Sequence, residues 1–247
     1  MGDFHPEAQT KGFAGCNFIA LICNNCLAII SDIFSMTQSY KVFFKDRVIF
    51  LTDQIDDILR GEFNTILKYA NQNELKQFIE NFSHKQHLHV GYVYYHDNAK
   101  LMELFKRQFV FIEAAGGLVT NHKHEFLAIE RLGVYDLPKG KTEGNETPDI
   151  TAQREIEEEC GIKKLNIISK LTSTYHTYEM DGKMVLKQTH WFHLHTDADQ
   201  TPQPQTTENI TSARWMAIED MDVFTANTYS SVKQVIQLYQ STQPLKQ

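Results

Sequence analysis

Acidic side chains crowd one short segment in the second half of the chain. Glu155, Glu158 and Glu159 stand three and four positions apart, so on an α-helix with about 3.6 residues per turn they share one face. Like charges at this spacing repel one another and weaken an isolated helix, so a compensating cation is expected. Carboxylate oxygens are hard ligands that suit Mg²⁺ or Mn²⁺. The spacing therefore predicts a divalent-metal site on one helix face.

A solvated acidic helix face is the simpler explanation, because most charge runs are no more than that. This explanation does not account for the residues around the glutamates. The three glutamates belong to a longer motif with fixed spacing that also contains Gly140, Glu146, Arg154, Ile156, Gly161 and Ile162. If each fixed position is roughly a one-in-fifteen event, seven of them coincide by chance at ~10⁻⁸ per window. We therefore interpret the register as a functional motif.

This register resembles the Nudix box, and every defining position of that motif is present between Gly140 and Ile162. Nudix proteins resembling this chain hydrolyse nucleoside diphosphates linked to a further group. The resemblance implies a loop, a helix and a second loop lying against a mixed sheet. It also implies that Glu158 and Glu159 are the main metal ligands, and that Glu155 is a further ligand or a base.

The same resemblance gives supporting roles to the rest of the motif. It implies that Arg154 holds and orients a box glutamate, that the Gly140 carbonyl adds a metal ligand, and that Glu146 plays a lesser part. Local signals agree, because a proline is tolerated in the first turn of a helix and a glycine suits a left-handed helix end. They predict a helix from about Pro148 to Cys160, closed by Gly161.

Four residues that are not fixed positions of the box are candidates by their location. In related proteins, residues placed like Arg131, Lys139 and Lys141 meet the substrate phosphates. Many Nudix hydrolases keep one more catalytic carboxylate where Glu208 stands in this chain. The alternative for each basic residue is an ordinary solvated side chain, and Glu208 is also consistent with a plain loop acid.

Tyr178 bears on the choice of substrate. A tyrosine at a similar distance past the box is found in the dinucleoside-polyphosphate hydrolases of the family. The segment 187–192 resembles a strand of bacterial enzymes in that group and of diphosphoinositol-polyphosphate hydrolases. The tyrosine ring would stack on a base or pack against the sheet. The proline that ADP-ribose hydrolases carry at this distance is absent, since the sequence there reads Tyr175-His176-Thr177.

The resemblance therefore predicts a pyrophosphohydrolase that acts on a nucleotide-derived small molecule, with a dinucleoside polyphosphate as one candidate. Mg²⁺ or Mn²⁺ would be the cofactor, and Glu208 or Glu155 would accept a proton from the water that attacks phosphorus. The alternative function is a Nudix module that binds a nucleotide ligand and regulates a partner without turnover. An isomerase of the same fold is a third option, which depends on residues outside the box.

Composition sets the outer limits. The chain has 247 residues, of which 42% are hydrophobic, enough for one large or two small soluble domains. A net charge of −7 argues against a protein that coats nucleic acid. Four cysteines do not make a disulfide framework at this length, so reduced cytoplasmic thiols are expected. Cys23 and Cys26 have the spacing of half a zinc site, without a second pair nearby. The sequence does not fix the oligomeric state, and a homodimer is compatible with it.

Residues 1–35 form an apolar extension whose status the sequence leaves undecided. The stretch 12–31 has no charge and is long enough to span a bilayer or to serve as a signal core. Three asparagines inside this stretch and acidic residues before it argue against both, so membrane association is not expected. We favour Met36 as the biological start, because a strand pattern opens soon after it at Tyr40.

The remaining chain is predicted to divide into a small α/β domain at 36–107 and a Nudix domain at 108–247. The first would hold a strand or hairpin at 40–51, helices within 62–82, a strand at 87–95 and a helix at 101–108. The second would hold strands at 109–120, 124–131, 165–174, 184–195 and 213–218, besides the box helix and a closing helix at 232–239. Strands outnumber helices there, so the fold class is α/β or α+β with a mixed sheet between helices.

Overall fold

The computed structural model describes residues 39–243 of the chain. The extension at 1–35, with its signal, anchor and alternative-start interpretations, and the pair Cys23 and Cys26 lie outside the described residues. Cys160 is a buried free thiol. None of the helices between residues 39 and 243 has both the length and the apolar character needed to cross a membrane.

Eleven strands within residues 39–243 join in one mixed sheet. Their bounds are β1 Tyr40–Phe44, β2 Arg47–Thr52, β3 Thr65–Lys68, β4 Val90–Tyr94, β5 Val110–Asn121, β6 Glu125–Arg131, β7 Val134–Asp136, β8 Lys139–Lys141, β9 Asn166–Met180, β10 Lys183–Thr196 and β11 Ile210–Ala217. In space the order is β11-β6-β5-β10-β9-β1-β2-β4-β3, with β7 on β6 and β8 on β5. Parallel and antiparallel pairs alternate irregularly, so the mixed sheet predicted from the sequence is confirmed.

Six α-helices within the described residues connect these strands. They are α1 Ile55–Arg60, α2 Gln72–His84, α3 Asn98–Lys106, α4 Pro148–Cys160, α5 Met221–Ala226 and α6 Ser230–Thr242. Two short 3₁₀ turns at Thr206–Glu208 and Ile218–Asp220 flank β11. The prediction for the box helix is confirmed at both ends, and Gly161 closes it with a left-handed φ of 70°.

The helices α4 and α6 pack on opposite faces of the sheet. Successive residues of β5 point to opposite faces, and Leu118 joins a core cluster with Val235 and Ile236 of α6. Its neighbour Val119 joins a second cluster with Ile156 of α4. A third cluster joins α2 and α3 to β1 and β2. The acidic helix therefore has a defined buried side, and its remaining side can present carboxylates.

Most predicted elements of the 39–107 part are confirmed, and one is wrong. The predicted hairpin is present, with β1 paired to β2 and Lys45 at its turn. The predicted helix content before Asn71 is wrong, because residues 65–68 form the strand β3 beside β4. Burial alternates residue by residue along β3, which is the pattern of a half-exposed edge strand. The helix after Asn71 is confirmed as α2.

The strands of the two predicted domains share one sheet. β1 runs parallel to β9, with Val42 opposite Tyr175 and Phe43 opposite His176. The boundary at 107/108 falls in the short connection between α3 and β5. The division into two domains stays a prediction, while the shared sheet places the hairpin β1–β2 beside the strand that carries Tyr178.

Candidate active site

Close contacts at two glycines, Gly116 and Gly140, position the loop that leads into the box helix. β8 lies antiparallel on β5, with Gly140 opposite Ala115 and Lys139 opposite Gly116. A Cβ atom on Gly116 would stand 2.2 Å from the Pro138 carbonyl oxygen, and one on Gly140 would stand 2.0 Å from the Glu155 carboxyl carbon. A side chain on Gly116 would collide with the loop backbone, and one on Gly140 would displace the end of the Glu155 side chain. The backbone of the loop is thereby pressed against the carboxylate of Glu155.

Arg154 binds three acidic side chains of the motif. Its Nε and Nη2 donate to the two carboxylate oxygens of Glu146 at 2.7 and 2.9 Å. Its Nη1 donates to Glu155 at 2.8 Å and to Glu158 at 3.1 Å, and Nη2 also donates to the Lys141 carbonyl at 2.9 Å. The guanidinium thus ties the box helix to the preceding loop. The role implied for Arg154 by the motif agrees with this geometry.

Glu146 is a structural partner of Arg154 in this arrangement. Its carboxylate also accepts hydrogen bonds from the Thr151 hydroxyl at 2.9 Å and the Glu143 amide at 3.2 Å. The Arg154 hydrogen bonds are the main reason that the pKa of Glu146 falls to about 2. Glu146 therefore stays ionised near neutral pH and gives Arg154 a permanent counter-charge.

Glu159 is the most buried carboxylate of the box. It is 2% exposed, and its Oε2 accepts a hydrogen bond from the Lys139 amide at 2.9 Å. Burial raises its pKa to about 7, although the charge and the amide of Lys139 act in the opposite direction. Burial also raises the pKa of Glu155, against the hydrogen bond from Arg154. These two carboxylates carry charge that their surroundings only partly stabilise.

Removing the charge of Glu159 is expected to stabilise the metal-free protein. The pKa of Glu159 rises from 4.5 to about 7 on folding, so the cost of ionising it is absent below about pH 4.5 and grows until the pH passes about 7. Glu159→Gln should raise the free energy of unfolding by on the order of 1–3 kcal/mol near pH 8 and leave it unchanged near pH 4. Urea unfolding in EDTA at both pH values measures this difference. Equal destabilisation at both pH values would contradict the burial argument.

A cavity of about 700 Å³ is lined in part by Lys139, the residue whose amide binds Glu159. Its lining includes Arg131, Asp136, Lys139, His176, Tyr178 and Lys187 from the sheet and its loops, together with residues of the β1–β2 turn and of the start of α6. Lys139 joins the two regions, since its amide binds Glu159 and its side chain lines the cavity. A volume of this size suits a nucleotide-sized ligand, for which pockets of roughly 300–1,000 Å³ are typical.

Lys187 is a cavity residue that the sequence analysis did not single out. It lies on β10 opposite His176 on β9, and both side chains line the cavity. Burial, together with the nearby charge of Lys139, lowers the pKa of Lys187 to about 8. Burial likewise lowers the pKa of His176 to about 4. Lys187 forms no ion pair with any carboxylate of residues 39–243, so a cation here is available to an anionic ligand.

The candidate basic residues separate into two groups. Arg131 and Lys139 line the cavity, and Lys139 also pairs with the buried Asp136. Lys141 is exposed, and it is absent from the described lining of the cavity. Lys141 contacts the box through its backbone, because its carbonyl accepts a hydrogen bond from Arg154. The structure therefore brings two of the three predicted phosphate ligands together.

Glu208 lies on the 3₁₀ turn before β11 and is 52% exposed. Its carboxylate stands 3.8 Å from Arg131. The preceding loop is held to the end of α4, because the Gln205 amide donates to the Glu159 carbonyl at 3.0 Å. The structure thus places Glu208 next to one cavity cation, at the same end of α4 as the buried box glutamate.

Tyr178 lines the cavity and stacks on His176, with ring centroids 5.6 Å apart and ring planes 26° apart. Both residues lie on β9 and share one face, since they are two positions apart. Partial burial raises the pKa of Tyr178, so it stays a neutral phenol. The pair offers an aromatic surface that bounds the cavity.

The box supplies hard oxygen donors from Glu155, Glu158, Glu159 and the Gly140 carbonyl. Across residues 39–243, no three His, Cys, Asp or Glu side chains are grouped to hold a metal ion. Instead, Arg154 donates hydrogen bonds to one carboxylate oxygen of Glu155 and one of Glu158. The donor chemistry and the negative charge fit a divalent ion, while the described side chains are organised around the guanidinium. Among the predicted box ligands, Glu158 is the most exposed, at 49%, and its side chain is therefore the most free to change conformation.

A model of the NUDIX domain matches residues 110–238, more than half of the chain. Among solved structures, the chain is similar to an Ap4A hydrolase of C. elegans in a binary complex, with 21% identity, coverage of 53% of this chain and 96% of that chain, and a TM-score of 0.42. It is also similar to a MutT protein from Methanosarcina mazei Go1, with 19% identity, coverage of 55% and 98%, and a TM-score of 0.42. A NUDIX hydrolase from Nitrosomonas europaea matches at 18% identity over 53% of this chain and 88% of that chain, with a TM-score of 0.41. The match to the domain model contains the whole box and every candidate site residue.

Proposed function

This chain belongs to the Nudix family of hydrolases, and we propose that it cleaves a diphosphate linkage in a nucleoside diphosphate joined to a further group. One observation carries the proposal. Lys139, whose amide binds the box carboxylate of Glu159, lines a cavity together with the basic residues Lys45, Arg131 and Lys187, in a chain whose net charge is −7. These four basic residues outnumber the two acidic residues of the described lining, Asp46 and Asp136, and a cleft with an excess of one charge sign concentrates ligands of the other sign.

A dinucleoside polyphosphate is the substrate class we favour within this proposal. The stacked pair of His176 and Tyr178 gives a base an aromatic surface inside the cavity. The basic residues of the same cavity suit several phosphates rather than one. Such a substrate is a small molecule of the cytoplasm. A cytoplasmic location agrees with the cysteine content of the sequence, which does not form a disulfide framework. Whether the active form is a homodimer stays a prediction.

The chain's own groups divide the work of the reaction. Lys139, Lys187 and Arg131 bind phosphate oxygens, and Arg154 fixes Glu155 against the Gly140 backbone. A divalent ion, Mg²⁺ or Mn²⁺, would be held by the box carboxylates and the Gly140 carbonyl, and it supplies charge neutralisation at phosphate and activation of water.

Water then attacks phosphorus, the bridging P–O bond breaks, and the proton of the water passes to a carboxylate. Glu155 is the acceptor we favour, because its raised pKa brings it closer to neutral pH, where a base works best. Glu208 is the second candidate. Its contact with Arg131 supports a place near the phosphates.

Lys187 is expected to make kcat/KM of the reaction fall at alkaline pH, which gives the pH profile an alkaline limb. Its pKa is lowered to about 8, so it loses its charge, and its hold on phosphate, as the pH rises through that value. Lys187→Arg should remove the limb, since the pKa of arginine lies above about 12. The measurement is kcat/KM from about pH 6 to about pH 10. Lys183→Arg, at the exposed start of the same strand, is the control and should keep the limb, and persistence of the limb in both variants would contradict this role of Lys187.

The proposal is tested by products. The purified protein is incubated with nucleotide-linked diphosphates and Mg²⁺ or Mn²⁺ in ¹⁸O-water, and the products are assigned by mass spectrometry. We expect cleavage within the diphosphate, with the label in a phosphate product. If no compound is cleaved while one raises the melting temperature, the chain is a ligand-binding Nudix module instead.

A further inference from the structure

Part of the cavity wall comes from outside the matched domain. Phe43, Lys45 and Asp46 of the β1–β2 hairpin line the cavity, whereas the NUDIX match begins at residue 110. On the other side of the opening, the start of α6 contributes Ser230 and Ser231. The hairpin therefore adds chemical groups to a site that the matched domain leaves incomplete on this side.

The hairpin is fixed to the site by backbone pairing and by core contacts. Phe43 pairs with His176 across the parallel strands β1 and β9, and the Thr177 hydroxyl donates to the Phe43 carbonyl at 3.2 Å. Val42 and Phe44 are buried in the core on either side of Phe43. The turn that follows is thus held at a set distance from the cavity residues His176 and Tyr178.

The cations of the cavity differ in burial. Lys139 and Lys187 are largely buried, whereas Lys45 is exposed. No carboxylate within residues 39–243 forms an ion pair with Lys45. The carboxylate of its neighbour Asp46 accepts a hydrogen bond from the Ser230 hydroxyl across the opening, at 3.5 Å. A ligand that contacts Lys45 as well as the two buried lysines would need negative charge beyond the phosphates that the buried lysines are proposed to bind.

We propose that Lys45 binds an anionic group of the leaving moiety, so that the N-terminal hairpin selects substrates with phosphate beyond the diphosphate that is cleaved. This inference rests on the proposed function. It gives the 39–107 part of the chain a role in specificity. The substrate class is a nucleoside polyphosphate linked to a further group, in preference to a nucleoside diphosphate linked to a neutral sugar.

The test uses a pair of lysines with matched backbones. Lys45 and Lys164 both have a left-handed conformation, with φ of 59° and 58°, and both are exposed. Lys164 is not among the described residues that line the cavity. Lys45→Gln should raise KM for a dinucleoside polyphosphate about fivefold, the size expected for one partly exposed ion pair, and leave KM for a nucleotide sugar unchanged. Lys164→Gln should change neither, and Asp46→Asn should lower KM for the polyphosphate.

A binding measurement separates this inference from the proposed function. Inorganic tripolyphosphate is titrated calorimetrically into the wild type, Lys45→Gln and Lys164→Gln without added metal. If the wild type cleaves nothing, the proposed function fails and weaker tripolyphosphate binding by Lys45→Gln alone still supports the hairpin site. If Lys45→Gln matches Lys164→Gln in both assays, or weakens both substrate classes equally, the inference is overturned.

Discussion

Glu158→Gln is expected to lower kcat by at least about a hundredfold, since even outer partners of metal ligands typically cost 10–100-fold when removed. The fold should survive, because Glu158 is 49% exposed and, among residues 39–243, accepts a hydrogen bond from Arg154 alone, at 3.1 Å. The glutamine oxygen can still accept that hydrogen bond. The change in the free energy of unfolding should stay within about 0.5 kcal/mol, as for most exposed positions. Steady-state kinetics and urea unfolding measure the two effects.

Glu157→Gln is the matched control for that variant. Glu157 directly precedes Glu158 on the same helix, but it is 50% exposed and pairs with Lys163 at 2.9 Å rather than with Arg154. It should retain turnover close to that of the wild type. If both variants were equally active, the box face of α4 would not be the catalytic face.

Gly140→Ala is expected to remove most activity through a steric route. The added Cβ would stand 2.0 Å from the Glu155 carboxyl carbon, a distance that forces either the carboxylate or β8 to move. Overpacking of this kind costs roughly 1–3 kcal/mol of stability. A displacement of about 1 Å at a reacting group can cost about a hundredfold in rate. Kinetics and thermal unfolding of the purified variant give both values.

Gly144→Ala separates the clash from general backbone strain. Gly144 lies in the same loop with a φ of 51°, and a Cβ there would meet no atom within 4 Å. This variant should lose roughly 1 kcal/mol of stability, the cost of a left-handed alanine, and keep its turnover. Activity of Gly140→Ala equal to that of Gly144→Ala would show that the Gly140 contact with Glu155 does not matter for catalysis.

The sequence predicted the box helix well because its signals are local. Pro148 and Gly161 mark the two ends within a few residues of the glutamates that they enclose, and the structure confirms both bounds. Such features depend on neighbours in the chain and need no knowledge of the tertiary fold.

The cavity could not be predicted in the same way, because strand register creates it. Lys187 and His176 become neighbours only through the pairing of β9 with β10, and Lys45 joins them through the pairing of β1 with β9. Lys139 and Lys141 look equivalent in sequence. They lie two residues apart on a short strand, and only Lys139 lines the cavity.

The error at residues 62–70 has a similar cause. Apolar residues there fit a helical spacing, but Ile66 is exposed and the segment pairs with β4 as the edge of the sheet. Tertiary pairing decided between two local patterns that were nearly equal. The box carboxylates bind Arg154 rather than converging on a single metal position. This arrangement depends on side-chain conformations, which the spacing of the residues in the sequence does not predict.

The central claim is that the box carboxylates support metal-dependent cleavage of a diphosphate. The direct measurement strips the wild-type protein with EDTA and follows hydrolysis of a dinucleoside polyphosphate and of other nucleotide-linked diphosphates, before and after Mg²⁺ or Mn²⁺ is restored. We predict no turnover in EDTA and restored cleavage of at least one compound on metal addition. Cleavage that persists at full rate in EDTA, or no cleavage of any compound with either metal, would contradict the account.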